Sequence, residues 1–441
     1  MLLTLRHLLP FAFAPRVEPQ PASQPPRPLH PAWVVVLVST WLATACNVPL
    51  WQEVAQLPGQ GSLRGWGFAL AFAAIVAAGN AALLSLLAWR WTLKPVVLVL
   101  VLMAAFGAYF MLAYGIAIDA SMLVNVMQTD VKEAGDLLNV RMLGTVLVLA
   151  APPLLWLYRR PVLRLSALRH VAHNGLLLAG SMAVMVVCLL LVFQDFASTM
   201  RNHTKLRYLI NPLNSVYALG NIATKPLRMD TTQLLPLGRD AQLGASYTGQ
   251  AKPPLLVLVL GETGRSGNFG INGYERATTP LLSARSQDLV SARNAWSCGT
   301  STAASVPCMF SHLGRTGYEG RSANFESLID VLHHAGLGVL WVDNQSGCKG
   351  VCDRVGETST TALKDPVLCA GSECLDRVML KDLDAQIAAL SPEQRQRGTV
   401  VVLHQMGSHG PAYYKRSAPR TRNLAPNALP RHCRNASVSK W

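Results

Sequence analysis

Leu255-Leu256-Val257-Leu258-Val259-Leu260-Gly261-Glu262-Thr263-Gly264-Arg265 is the stretch on which the fold turns. A short apolar run closed by glycine reads as a buried parallel strand running into a polar loop. Downstream, Phe325–His334 has helical periodicity and stops at Gly336, Leu337–Val342 reads as a strand, Met379–Leu390 as a helix and Thr399–Leu403 as another strand. This alternation predicts an α/β domain with a mainly parallel sheet. Ligands of such sheets sit beyond the carboxyl ends of the strands.

Upstream the character is different. The 441-residue chain is 51 % hydrophobic and only 14 % charged, with a formal net charge of +15 and a mean hydropathy of +0.27. A soluble domain carries about a quarter charged residues, so much of this chain faces something other than water. Five apolar stretches approach the ~20 residues that a bilayer requires: Ala32–Leu50, Trp66–Leu87, Pro95–Ile116, Arg141–Leu157 and Gly175–Phe193. The fourth is the weakest, interrupted by Pro152 and Pro153. Residues 1–31 read as a disordered, Pro-rich cytoplasmic leader, and 196–250 as a periplasmic connector with Pro212 and Pro226 as breakers. The α/β domain then occupies 251–416.

Short-loop charge sets the orientation. The leader, the Trp89–Lys94 loop and the Tyr158–His173 loop are basic and therefore cytoplasmic. The loop after the third span holds Lys132 against Asp119, Asp130, Glu133 and Asp136, so it lies outside. Five spans then place everything after Phe193 outside. Topology thus explains part of the positive charge, and nucleic acid is not the expected partner: no basic helix, zinc knuckle or aromatic-basic platform is present. Six of the nine cysteines fall in close pairs in that outer stretch, Cys298 with Cys308, Cys348 with Cys352 and Cys369 with Cys374. Disulfides in an oxidising compartment are the expectation. The rival, zinc on the C-x3-C of Cys348 and Cys352, needs four convergent ligands that the scattered pairs do not promise.

Three segments carry chemistry. Glu262, straight after the first strand, can hold a divalent metal or merely cap a helix. Cys298-Gly299-Thr300-Ser301-Thr302-Ala303 opens a stretch that looks helical to about Leu313. A hydroxyl there meets the amides and dipole that favour phosphate, or serves as an N-cap. His404 and Gly407-Ser408-His409-Gly410-Pro411 follow the last strand as metal or phosphate contacts, or as structural residues.

Taken together these segments resemble one family. Gly261-Glu262-Thr263-Gly264-Arg265-Ser266 through Asn268-Phe269-Gly270, Asn272-Gly273-Tyr274 and Thr278-Thr279-Pro280 looks like the phosphoethanolamine transferase signature. So do Ser297 to Thr302 with Ser305-Val306-Pro307-Cys308-Met309-Phe310, and Gly407 to Pro411. In the membrane part Asn125, Thr129 and Glu133 keep the family's i, i+4, i+8 spacing, and Asn211-Pro212-Leu213-Asn214-Ser215 matches in the connector. The resemblance covers roughly Ala32 to Arg416 and points to lipid A transferases, the mobile colistin-resistance enzymes among them.

What the resemblance implies is a five-helix transmembrane domain joined to a periplasmic catalytic domain of the alkaline-phosphatase/sulfatase type in the bacterial inner membrane. It implies Thr302 as the nucleophile that takes phosphoethanolamine from phosphatidylethanolamine, Glu262 and Thr302 as ligands of Zn²⁺, and lipid A as acceptor. Ser346, Lys349 and His409 contact the donor phosphate, while Asn125, Thr129 and Glu133 shape the ethanolamine side. The chain departs from the family late: no Asp-His-Gly occurs, and 417–441 holds Arg420, Arg422, Arg431, Arg434 and Lys440 with no Asp or Glu. A frameshift or truncation near Arg416, an incomplete catalytic domain and impaired activity are the expectations. A transferase acting on another periplasmic glycan, or a non-catalytic membrane remnant, are the alternatives.

Overall fold

The structure, a computed structural model, describes residues 28–87, 89–129, 134–135, 137–228, 230–247, 250–360, 363, 365–370, 373–410 and 416. Most of the leader, Glu133 and the 417–441 tail lie outside the described residues. The five expected spans are helical. The first runs Pro31–Ala55, as α1 (Pro31–Thr44) and α2 (Val48–Ala55), and is followed by α3 (Leu63–Leu87) and α4 (Leu93–Tyr114). A short helix, α5 (Ala120–Gln128), capped by Asp119, lies before α6 (Val140–Tyr158) and α7 (Ala167–Leu191). Contrary to the expected interruption, α6 runs unbroken through Pro152 and Pro153, since buried membrane helices compensate locally for a missing amide.

The spans pack around Val34, Val38, Leu42, Val97, Val101, Ala104 and Leu157. Leu176, Leu190 and Leu191 on α7 stay exposed, as apolar residues facing lipid should. The connector is helical, as α8 (Phe193–Asn202), α9 (Lys205–Tyr208) and α10 (Leu213–Arg228), with α10 continuing past Pro226, which breaks nothing. Its anchor is Asn211, fully buried in the bundle. The Asn211 amide nitrogen donates to the carbonyls of Ala104 at 2.7 Å and Cys46 at 3.0 Å, and its backbone N–H to Asn47 Oδ1 at 2.9 Å. Buried polar groups in a bundle need such partners, so the connector is plugged into the membrane domain rather than merely tethered to it.

Beyond β1 (Asp230–Leu235) comes β2 (Leu255–Leu260), then α11 (Pro280–Ser283), α12 (Thr302–Met309), α13 (Gly314–Glu319), β3 (Ala323–Phe325) and α14 (Leu328–His334). After them follow β4 (Gly338–Asp343), β5 (Gly356–Ser359), β6 (Cys369–Ala370), β7 (Glu373–Cys374), α15 (Leu383–Ala388), α16 (Pro392–Arg397) and β8 (Thr399–His404). The main sheet has the order β2-β8-β4-β5, all parallel. One face packs Trp341, Val402 and Ile329 against Val306 and Phe310; the other packs Val342, Val401 and Leu403 against Val378 and Met379. The fold is therefore the expected membrane domain plus parallel α/β domain.

Details differ from the sequence reading. Strand β2 is not buried: among the described residues it pairs on one side only, and Leu255, Leu256, Val257 and Val259 are exposed. The helix expected over Phe325–His334 starts at Leu328, because Ser327 and Asp330 form a capping box and Phe325 belongs to β3. The stretch expected to be helical to Leu313 is helical only as α12, which ends at Met309, and α13 begins beyond it at Gly314. The Met379–Leu390 helix is split into a 3-10 turn, Asp376–Leu380, and α15, with Asp382 between them at φ +58°.

Candidate active site

The carboxyl ends of β2, β4 and β8 lie side by side, with His404 paired to Leu260 on one side and Asp343 on the other. Each ends in a loop that carries candidate residues. Beyond β2, Thr263 takes φ +53°. A β-branched residue in the left-handed region is strained and is held there only by its surroundings. Glu262 is thereby presented toward Thr302, the first residue of α12, whose buried hydroxyl donates to Glu262 Oε2 at 2.9 Å. Thr263 Oγ1 donates to Glu262 Oε1, also at 2.9 Å.

His409 Nδ1 stands 3.7 Å from Glu262 Oε1. Burial pushes the Glu262 carboxyl up, but the neighbouring His409 and the hydrogen bonds from Thr302 and Thr263 outweigh it and hold it down at about 2. The site therefore presents a carboxylate that is ionised at neutral pH in contact with a hydroxyl, with an imidazole nearby. The β8 loop reaches it through Gly407 at φ +54°, where a Cβ would fall 2.6 Å from the Glu262 carbonyl oxygen. Ser408 N–H also donates to that oxygen at 3.2 Å.

Glu262, Thr302 and His409 thus come together. Ser346 and Lys349 sit on the neighbouring loop after β4, where Lys349 Nζ donates to Ser346 Oγ at 2.9 Å, and Lys349 too has a positive φ, +53°. Asn125 and Thr129 lie at the end of α5, joined by a 2.8 Å bond from Thr129 Oγ1 to the Asn125 carbonyl. Helix α5 packs against both α12 and α10, so the membrane domain supports the helix that carries Thr302. Glu133, expected beside them, is outside the described residues.

All three cysteine pairs are disulfide-bonded: Cys298–Cys308, Cys348–Cys352 and Cys369–Cys374. Cys348 and Cys352, with Asp353 close by, are thus a bridge rather than thiolate ligands. His404 points away from the site: it is fully buried, with Nδ1 2.7 Å from Asp343 Oδ2 and its ring edge-on to Trp341. It is a core residue rather than a metal or phosphate contact. Sequence reasoning missed Asp343, Asn344 and Asp376, isolated polar residues with no motif to announce them.

A profile described as phosphoethanolamine transferase EptA/EptB matches residues 76–227, and a sulfatase profile matches 254–438. Phosphoethanolamine transferase EptA of Escherichia coli K12 is 34 % identical over 399 residues, covering 90 % of this chain and 71 % of that protein. The chain belongs to the phosphoethanolamine transferase family. A second relative is the phosphatidylethanolamine transferase Mcr-1 of E. coli, 33 % identical over 88 % of this chain and 72 % of that one. The solved integral membrane lipooligosaccharide phosphoethanolamine transferase A (EptA) of Neisseria meningitidis superposes with a TM-score of 0.83 at 30 % identity, over 91 % of this chain and 74 % of that chain. As a member of this family the chain is a multi-pass membrane transferase, and the two profiles meet in the connector between its membrane and sulfatase-like parts.

Proposed function

We propose that the chain transfers phosphoethanolamine from phosphatidylethanolamine to a phosphate of lipid A at the periplasmic face of the inner membrane, with Thr302 as nucleophile and with activity impaired by the lack of the family's Asp-His-Gly metal ligands. The observation that carries this is the Thr302 hydroxyl bonded at 2.9 Å to an ionised Glu262. Thr302 is the first residue of α12, where helix amides and dipole favour an incoming phosphate. A membrane-embedded donor also explains why such a site rests on five spans.

The donor types suit a divalent cation only in part: an ionised carboxylate, a hydroxyl and a nearby imidazole are donors that zinc accepts, but among the described residues they fall short of the complete ligand set of such a site. Glu262 and Thr302 would hold it. The chemistry bound Zn²⁺ supplies at such a pair is charge neutralisation on phosphate oxygens and a lowered pKa for the hydroxyl. Glu262, held at about 2, orients the hydroxyl rather than keeping its proton. Thr302 Oγ1 forms a bond to phosphorus as the bond to the glycerol oxygen breaks, and diacylglycerol leaves carrying the proton. A lipid A phosphate oxygen then forms a bond to that phosphorus as the Thr302 Oγ1–phosphorus bond breaks, and Oγ1 takes back a proton given up by the acceptor phosphate. Ser346, Lys349 and His409 contact the phosphate, since phosphoryl transfer is mostly positioning and charge stabilisation. Asn125, Thr129 and Glu133 serve the ethanolamine side at the membrane surface.

Mass spectrometry of lipid A from Gram-negative cells expressing the chain tests this beside Thr302→Ala. A phosphoethanolamine increment that disappears in Thr302→Ala is expected. An increment on a different periplasmic glycan would replace the acceptor, and no increment on any glycolipid, with protein present in the membrane, would refute the reading.

A further inference from the structure

One carboxylate outside the motifs touches both loops proposed to bind phosphate. Asp376 opens the turn Asp376–Leu380, two residues beyond the Cys369–Cys374 bridge, and Val378 and Met379 pin that turn to the sheet with their side chains buried. Its Oδ1 accepts the Met406 N–H at 2.7 Å and Asn344 Nδ2 at 2.9 Å, and its Oδ2 accepts the Gly407 N–H at 2.9 Å. Met406 and Gly407 lead directly into His409. Asn344 begins the loop of Ser346 and Lys349, and its own N–H donates to the His404 carbonyl at 3.0 Å. Asn344 is itself fixed, donating to the Cys374 carbonyl at 3.0 Å and accepting from Thr360 Oγ1 at 2.7 Å.

Bonds to a carboxylate are about twice as strong as neutral ones, and two of the three donors converging on Asp376 are backbone amides that no helix or strand satisfies. On its other side the same loop has no slack, because Gly407 abuts the Glu262 backbone. A shift of the Met406–His409 loop is therefore passed to Glu262 in one direction and to Asn344 in the other.

We propose that Asp376 is the positioning residue that holds the His409 loop and the Ser346–Lys349 loop in one register around the donor phosphate, an inference that rests on the function proposed above. It touches no reacting atom; it acts through the loops.

The test uses the full chain in lipid nanodiscs, as wild type, Asp376→Asn and Asp376→Ala. Amide hydrogen exchange is read at 344–350 and 404–410, and affinity is measured for glycerophosphoethanolamine, the soluble donor headgroup. In Asp376→Ala, both loops are expected to exchange roughly tenfold faster or more, strand amides of β4 and β8 to keep their protection, and headgroup affinity to fall about tenfold. Asp376→Asn retains one acceptor oxygen, so intermediate values are expected and the test survives if the alanine variant misfolds. Unchanged exchange in the loops overturns the proposal. So does exchange that rises equally in β4 and β8, which marks a structural role only. Wild-type protein that binds no headgroup, with loops that still loosen in the variants, overturns the transferase reading and leaves the brace itself standing.

Discussion

Gly407→Ala tests whether the β8 loop must press against Glu262 for the site to work. Two effects combine at this position. The φ of +54° costs an alanine about 1–2 kcal/mol in the left-handed region. The new Cβ would also sit 2.6 Å from the Glu262 carbonyl oxygen and 3.0 Å from its nitrogen. Both are backbone atoms, so no rotamer change relieves the contact. Ordinary contact begins near 3.4 Å, so loop and strand end must separate by 3.4 − 2.6 = 0.8 Å. That stretches the 3.2 Å bond from Ser408 N–H and moves His409 off its 3.7 Å approach to Glu262. A misplacement of about 1 Å can cost about a hundredfold in rate, so phosphoethanolamine on lipid A should fall by about one to two orders of magnitude. Protein level in the membrane should drop far less. The assay is lipid A mass spectrometry normalised to membrane-extracted protein. Wild-type modification by Gly407→Ala would show that the loop is not held against Glu262, and would remove His409 from the site.

Three further outcomes follow from the same geometry. Glu262 has a folded-state pKa of about 2 against its ordinary 4.5, so its contribution, on the order of 3 kcal/mol, is fully present above about pH 4.5 and lost as pH falls toward 2. Thermal unfolding of Glu262→Gln should therefore show a flatter acid limb than wild type, and identical limbs would contradict the shift. Arg354 holds the buried Asp330 with two bonds, of 2.6 and 2.7 Å, so Arg354→Met should destabilise the α/β domain by about 3–5 kcal/mol; an unchanged denaturation midpoint would show that water screens the pair. The Cys298–Cys308 bridge, with a sequence separation of 10, closes the loop that contains Thr302, and Cys298→Ser with Cys308→Ser should cost about 3 kcal/mol by chain entropy; equal stability with and without reductant in wild type would argue against it.

The membrane part was legible because bilayer thickness imposes one length and one composition, and neither depends on neighbours. The α/β alternation was legible for a similar reason: Leu337–Val342 and Thr399–Leu403 are apolar on both faces because helices and turns cover both sides of β4 and β8. Leu255–Leu260 carries the same signature yet lies at an edge among the described residues, since apolar composition says that a strand wants neighbours and not how many it has. Boundaries failed where one side-chain bond decided them. The Ser327–Asp330 box moved a helix start by three residues, and Asp382 in the left-handed region divided another helix.

In the site, what was legible is what the proposed function requires to touch substrate. Glu262 and His409 sit in glycine-containing loops and Thr302 opens a helix just after one, and close approach of backbones leaves a readable mark there: Gly407 is required by the 2.6 Å approach to Glu262. The residues that hold those loops leave no such mark. Asp376 lies 30 residues before the Met406 amide it accepts and 32 after Asn344. Any acid that folding brought to that point would serve as well. His404 and His409 show the limit most sharply. The two lie five residues apart at the end of the same strand, yet His404, the last β8 residue, is turned into the core by the strand's alternation and captured by Asp343. His409 is freed by the Gly407 turn to face Glu262. Which imidazole reaches the chemistry is decided by the backbone between them, so the φ of a single glycine, rather than either histidine, separates the core residue from the site residue.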